Sequence, residues 1–264
     1  MIPAIGFGTW RLSGRDCSDG VADALAAGYR HVDTAAMYGN EEEVGSGMRA
    51  SRVDRGDVWL TTKIWPDDLT PERAGASLER SLRELGTDYV DLYMIHWPNP
   101  RIPLAVTLEA MTALRDEGRT REIGVSNFTS AQFREALDLA PVIVNQVEYH
   151  PFLDQSAVLE VCRERDVELT AYRPLAKGDV ASDRTIADIA AAHDATPAQV
   201  ALAWLIGQEG VSAVPKASSP ERRRENLGAV RLELSADERA RLDALPKDRR
   251  AVETEWSPDW NHGQ

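Results

Sequence analysis

The sequence predicts one α/β domain folded as a (β/α)8 TIM barrel over residues 1–264, with a short N-terminus and a short tail from about 248 to 264. Three observations predict it. Short apolar runs alternate eight times with longer amphipathic ones, the pattern of β-α units building a parallel sheet. The 264 residues match the roughly 250 that such barrels commonly use. No G-x-G-x-x-G follows the first strand, because Arg11 stands where a third glycine after Gly6 and Gly8 belongs. That disfavours the open doubly wound sheet with its dinucleotide turn.

In chain order, strands are expected at 4–8, 31–33, 58–63, 90–96, 122–125, 142–147, 168–171 and 212–215. Helices fill the intervals, for example over 71–85 and 131–139. The first of these has Thr70 as candidate N-cap, Pro71 at the first helical position and Glu72 next, and Gly86 suits its C-terminal stop. Thr196-Pro197 repeats the start signal before AQVALAWLIG. No low-complexity linker divides the chain.

The formal charge of −13, from 30 basic and 43 acidic residues, argues against a nucleic-acid or membrane-binding surface but leaves room for a local basic cluster. Cys17 and Cys162 lie far apart with no C-x-x-C pair, so neither a metal site nor a disulfide framework is expected, and both read as buried helical residues. The opening MIPAIGFGTW carries no basic leader, and no run approaches the length of a membrane span. The expectation is a soluble, cytoplasmic monomer without metal. No Gly-Lys dipeptide occurs, so a Walker-type phosphate loop is excluded.

Polar residues stand at successive strand ends: Asp33 and, in the loop beyond, Tyr38 in HVDTAAMYGNE, Lys63 in VWLTTKIW, and His96 in VDLYMIHWP. A barrel places its active site at the C-terminal ends of its strands. Reducing an aldehyde or ketone requires a hydride at carbon and a proton at oxygen. Tyr38 can supply the proton, but a phenol of pKa near ~10 is a sluggish acid. Lys63 is expected to lower that pKa, with Asp33 holding the ammonium in place. His96 can donate to the carbonyl oxygen and orient it. Trp10, Met37, Trp65 and Trp97 neighbour these positions and would form an apolar wall. Each polar residue alone has an ordinary reading, as turn cap, solvated cation, turn histidine or packed ring. Together they supply every part of one reaction at one face.

These residues resemble the aldo-keto reductase family. The match runs from Ile2 to about Leu245 through IPAIGFGTW, YRHVDTAAMYGNEEEVG, VWLTTKIW, DYVDLYMIHWP, REIGVSNF, NQVEYHP, TAYRPLAKG and VPKASSPERRRENL. The resemblance implies a (β/α)8 barrel that binds NADP(H) in extended form, with Tyr38 as general acid/base, Asp33 and Lys63 tuning it and His96 orienting the substrate. It implies that Ser126, Asn127 and Gln146 bind the nicotinamide carboxamide and that Tyr172 stacks on its ring. Lys216 and Arg222 match contacts to the 2′-phosphate, and Asn226 a contact to adenine. The segment 216–226 carries four cations and two anions within an acidic chain. Arg223 and Arg224 are expected to be merely solvated. GVSNF also resembles a G-x-S-x-G hydrolase elbow, but Phe128 replaces its last glycine.

Three departures stand out. Ala217 replaces a serine or threonine that touches the 2′-phosphate in many members, Arg173 replaces the small serine after the stacking tyrosine, and the usual N-terminal hairpin is missing or shortened. The short WPNPRIP loop and brief tail resemble bacterial members that reduce methylglyoxal and 2,5-diketo-gluconate. Trp256 and Trp260 are candidates for folding over the pocket or for simply sealing the barrel, and Arg101 reads as a solvated loop cation rather than a contact for an acidic substrate. The expected function is NADPH-dependent reduction of small aldehydes and ketones. A cofactor-binding regulatory subunit is the alternative from another class. A hydrolase or isomerase using Asp33 and His96 leaves GVSNF, Gln146 and the basic segment unexplained.

Overall fold

A computed structural model describes residues 1–260. The last four residues of the expected tail lie outside the described residues. Strands β1 (Phe7–Gly8), β2 (His31–Asp33), β3 (Trp59–Ile64), β4 (Val90–Ile95), β5 (Thr120–Ser126), β6 (Val142–Glu148), β7 (Glu168–Tyr172) and β8 (Val211–Ala213) form one sheet in chain order. Every neighbouring pair is parallel. The sheet closes on itself where Ala213 N donates to Ala4 O, Gly6 N to Ala213 O and Gly8 N to Pro215 O, at 2.8, 2.8 and 3.1 Å. The expected barrel is the observed one, and residues 4–8 are its seam.

The helices are α1 (Gly14–Ala27), α2 (Glu41–Ser51), α3 (Pro71–Leu85), α4 (Leu104–Asp116), α5 (Ser130–Leu139), α6 (Ser156–Arg165), α7 (Arg184–Ala192), α8 (Pro197–Ile206), α9 (Pro220–Gly228) and α10 (Ala236–Asp243). Helix α3 matches its expected bounds, and Gly86 ends it at φ 67° with its N–H on Leu82 O. Thr70 occupies the N-cap position, yet its hydroxyl makes no capping bond, so Pro71 and Glu72 carry that start. Thr196 does cap, in a reciprocal pair with Gln199. Two helices, α7 and α8, stand between β7 and β8 where simple alternation expects one.

Period-two alternation sorts the strand residues. Along β4, Tyr93 points outward and donates to Ala74 O of α3, while Leu92 and Met94 pack in a separate cluster with Ile2 and Val144. That cluster fills the barrel from the N-terminal side of the chain. Gly124 makes room for it, because a Cβ there would lie 2.7 Å from Val144 and 3.0 Å from Met94. Beside it are polar pairs, His31 with Thr61 at 3.1 Å and Thr170 with Ser212 at 2.8 Å, Thr61 being in register with Leu92. The strands' C-terminal ends then carry Asp33, Lys63 and Gln146 on the same inward-facing rows, with His96 directly after β4. Cys17 and Cys162 are free and buried on α1 and α6.

Candidate active site

Lys63 is fully buried, so its ammonium requires partners. Its Nζ donates to Asp33 Oδ1 at 2.6 Å and to Thr34 O at 2.8 Å. Asp33 Oδ2 accepts from Gln146 Nε2 at 2.7 Å, which ties β2, β3 and β6 together at one end of the barrel. Burial lowers the Lys63 pKa, opposed by the charge and hydrogen bond of Asp33.

Tyr38 stands in a short 3-10 turn (Ala36–Tyr38) ended by Gly39 at φ 63°. Its ring lies 4.8 Å from that of Trp10 and 5.7 Å from that of His96, and Lys63 Nζ is 5.3 Å from its centroid. Contrary to the sequence expectation, its pKa is raised, by burial first and then by the charges of Asp33 and Tyr172. The ammonium that was to lower it is engaged by Asp33 and Thr34 instead. His96 is held well below the usual imidazole range by burial and then by Lys63, so it is neutral. Its Nδ1 is buried without a partner among the described residues, leaving Nε2 as the nitrogen able to serve the cavity.

A cavity of about 330 Å³ gathers these groups. Asp33, Tyr38 and His96 line it together with Trp10, Met37, Trp65 and Trp97. Lys63 stands behind Asp33 rather than on the surface of the cavity. Farther along are Ser126, Asn127, Gln146, Tyr172 and Lys216. Asn127, at φ 64°, donates through Nδ2 to His96 O and Ser126 Oγ, and its Oδ1 accepts from Tyr172 OH at 2.7 Å. Ser126 Oγ donates to Gln146 O at 2.7 Å.

This donor set fits a nicotinamide dinucleotide. Gln146 Oε1 has no protein partner among the described residues, and Asn127 Oδ1 keeps a second lone pair, so both can accept from a carboxamide NH2. The Tyr172 ring is fixed by its hydroxyl and lies at the cavity wall. Lys216 is exposed and forms no ion pair among the described residues.

Arg222 and Asn226 do not line this cavity; both lie on α9, Arg222 exposed and Asn226 buried. Arg223 corrects the sequence reading. It is buried, not solvated, with Nε 2.6 Å from Asp23 Oδ2 of α1 and Nη1 donating to Ala217 O. Arg224 is exposed, as expected. Arg101 is exposed, with its guanidinium 6.0 Å from the Trp256 ring, and Arg250 stacks on Trp260 at 3.8 Å. Neither tryptophan lines the cavity. The tail contributes Ala251, Val252, Glu253 and Thr254 instead. Glu148, passed over in the sequence, holds that segment. It stands two residues beyond Gln146, so period-two alternation alone assigns it to the same face.

Among the described residues no cluster of His, Cys, Asp and Glu could hold a metal ion, and no helix is long and apolar enough to cross a membrane.

The profile of the Aldo/keto reductase family matches residues 4–247. Methylglyoxal reductase DkgB of Escherichia coli O157:H7 is 40% identical over 98% of this chain and 99% of its own length. A 9,11-endoperoxide prostaglandin H2 reductase of Trypanosoma cruzi is 38% identical over 94% of this chain and 89% of its own. A crystal structure of a candidate 2,5-diketo-D-gluconic acid reductase B superposes with a TM-score of 0.96 at 42% identity, covering 98% of this chain and 94% of that one. The chain belongs to the aldo/keto reductase family. It is an oxidoreductase that reduces carbonyl compounds with a nicotinamide cofactor.

Proposed function

We propose that this enzyme uses NADPH to reduce 2-oxoaldehydes such as methylglyoxal, or keto sugar acids, to the corresponding alcohols. The observation that carries the reading is that Asp33, Tyr38 and His96 meet at one cavity whose far wall bears Tyr172 and Lys216. The names of the relatives support the substrate class.

The reduced nicotinamide, when bound, supplies the hydride. Tyr38 gives its proton to the carbonyl oxygen, and its raised pKa keeps that proton in place until the oxygen becomes basic. Lys63, held by Asp33, stands 5.3 Å from the centre of the Tyr38 ring, where its charge offsets only part of what burial and Asp33 add to the cost of the phenolate left behind. His96, neutral, orients the carbonyl oxygen through Nε2. Trp10, Met37, Trp65 and Trp97 give the pocket an apolar wall.

Ser126, Asn127 and Gln146 hold the carboxamide, and Tyr172 sets the nicotinamide face. Lys216 and Arg222, exposed and without carboxylate partners among the described residues, favour the 2′-phosphate of NADPH, and Asn226 the adenine. We take residues 1–264 as one domain, and tail residues 251–254 wall its cavity. We take it to act as a monomer in the cytoplasm on small molecules.

The test is oxidation of NADPH, beside NADH, with methylglyoxal, a diketo sugar acid and simple aromatic aldehydes. Tyr38→Phe is expected to cut turnover about a thousandfold while leaving NADPH affinity nearly unchanged. Comparable turnover in that variant rejects Tyr38 as the donor. Cofactor binding without any carbonyl-dependent oxidation would mark a regulatory subunit instead.

A further inference from the structure

Part of the cavity wall comes from outside the barrel. The tail comes back toward the strand ends where Asp248 bridges Leu153 and Arg249 N donates to Phe152 O at 2.9 Å. It then lines the cavity from Ala251 to Thr254, with no helix or strand of its own to fix its course.

Two side chains grip it. Glu148, at the end of β6, is fully buried. Its carboxylate accepts from Ala251 N at 3.0 and 3.1 Å and from Val252 N at 3.0 Å, with His150 Nε2 3.4 Å from Oε1. Arg173 Nη1 donates to Ala251 O at 3.2 Å. Glu148 pairs in register with Tyr172, so Arg173 is the next residue along the neighbouring strand. One tail residue is therefore held by its N–H from a carboxylate and by its C=O from a guanidinium, both launched from adjacent strand ends.

A fully buried carboxylate is costly unless its lone pairs are filled, and here the tail's backbone fills them. Arg173 keeps a strained backbone, φ 49°, and lines the same cavity. It has no carboxylate partner among the described residues, which leaves the tail carbonyl as its anchor.

We propose that Glu148 and Arg173 form a charge clamp that sets the tail as a wall of the carbonyl pocket. They act as positioning residues that govern substrate affinity. The proposal rests on the reductase reading of this cavity.

Full-length Glu148→Gln tests it. The amide keeps the volume, but it accepts at one atom only and turns N–H groups toward the tail's own N–H groups. Amide exchange at Ala251 and Val252 is expected to rise roughly a hundredfold. KM for the carbonyl is expected to rise about tenfold, with kcat at saturation changed less than about twofold. Arg173→Ser should move the same quantities in the same direction, and the double variant should fall short of the product of the two. If Glu148→Gln does not fold, Arg173→Ser carries the test alone. Unchanged exchange at Ala251 and Val252, a fall in kcat at fixed KM, or strictly multiplicative effects would overturn the clamp. Absence of carbonyl reduction by the unaltered enzyme would instead overturn the functional reading, and the exchange rates would still decide whether the tail is clamped.

Discussion

Burial and the nearby Asp33 carboxylate make Tyr38, the proposed proton donor, a weaker acid than a phenol in water. Reduction uses the protonated phenol, so a raised pKa keeps the competent form present as pH rises. The reverse oxidation needs the phenolate and should climb with pH over the same range. His96 is neutral, with its protonation displaced well below the usual imidazole range, so it contributes no limb near ~6.5. The expected outcome is a kcat/KM for carbonyl reduction that is flat from about pH 6 to about pH 9, measured by NADPH oxidation. A falling limb centred near neutral pH would mean that Lys63 lowers the phenol after all. That Tyr38 stands at one cavity with Asp33 and His96 was legible from the polar residues at successive strand ends. Its pKa direction was not: the Asp33–Lys63 pair was expected, but the sequence does not reveal how deeply the phenol is buried or that the Asp33 charge acts on it as well.

Neighbouring arginines on helix α9 divide between burial and exposure. Successive helical residues are rotated by about 100°, so three consecutive arginines cannot face one environment. Arg223 turns inward, pairing with Asp23 on α1 across 200 residues of chain, and Tyr29 OH donates to its carbonyl at 2.8 Å. Arg222 remains exposed near the N-terminus of the helix, capped by Ser219. Arg222→Ala should therefore weaken NADPH by about tenfold and NADH by less than about twofold, read from cofactor fluorescence titrations. Equal weakening would remove Arg222 from the 2′-phosphate. The β4 stripe of Leu92, Met94 and His96 could be read from period-two alternation, as could the start of α8 at Thr196-Pro197. Asp23 as a partner could not, since nothing local in GVADAL distinguishes it from a solvated acid. Glu148 lies between these cases: its face follows from Gln146, but the tail that occupies it arrives about a hundred residues later.

At the scale of the whole molecule the barrel divides its two ends between chemistry and stability. The net charge of −13 repels an anionic cofactor in general, so binding depends on the few cations at the strand-end face. The other end is sealed by Ile2, 4% exposed, against Leu92, Met94 and Val144. Beside that apolar cluster the His31–Thr61 and Thr170–Ser212 hydrogen bonds link neighbouring strands, and Met94 of the cluster is in register with Lys63. If the two ends act separately, Ile2→Ala should cost about 2–4 kcal/mol through the cavity it leaves. That loss should appear as a Tm lowered by roughly 5–10 °C, with kcat and KM at 25 °C within about twofold of the unaltered enzyme. Asp33→Asn should show the opposite balance in activity, with turnover down at least about a hundredfold, because the buried Lys63 loses its counter-charge beneath Tyr38. A shift in KM for Ile2→Ala as large as that produced by changes at the strand ends would show that packing defects travel from the seal to the site, through Met94 and the Lys63 it pairs with. In that case the interior would behave as one mechanical unit, and the site could not be treated apart from the seal beneath it.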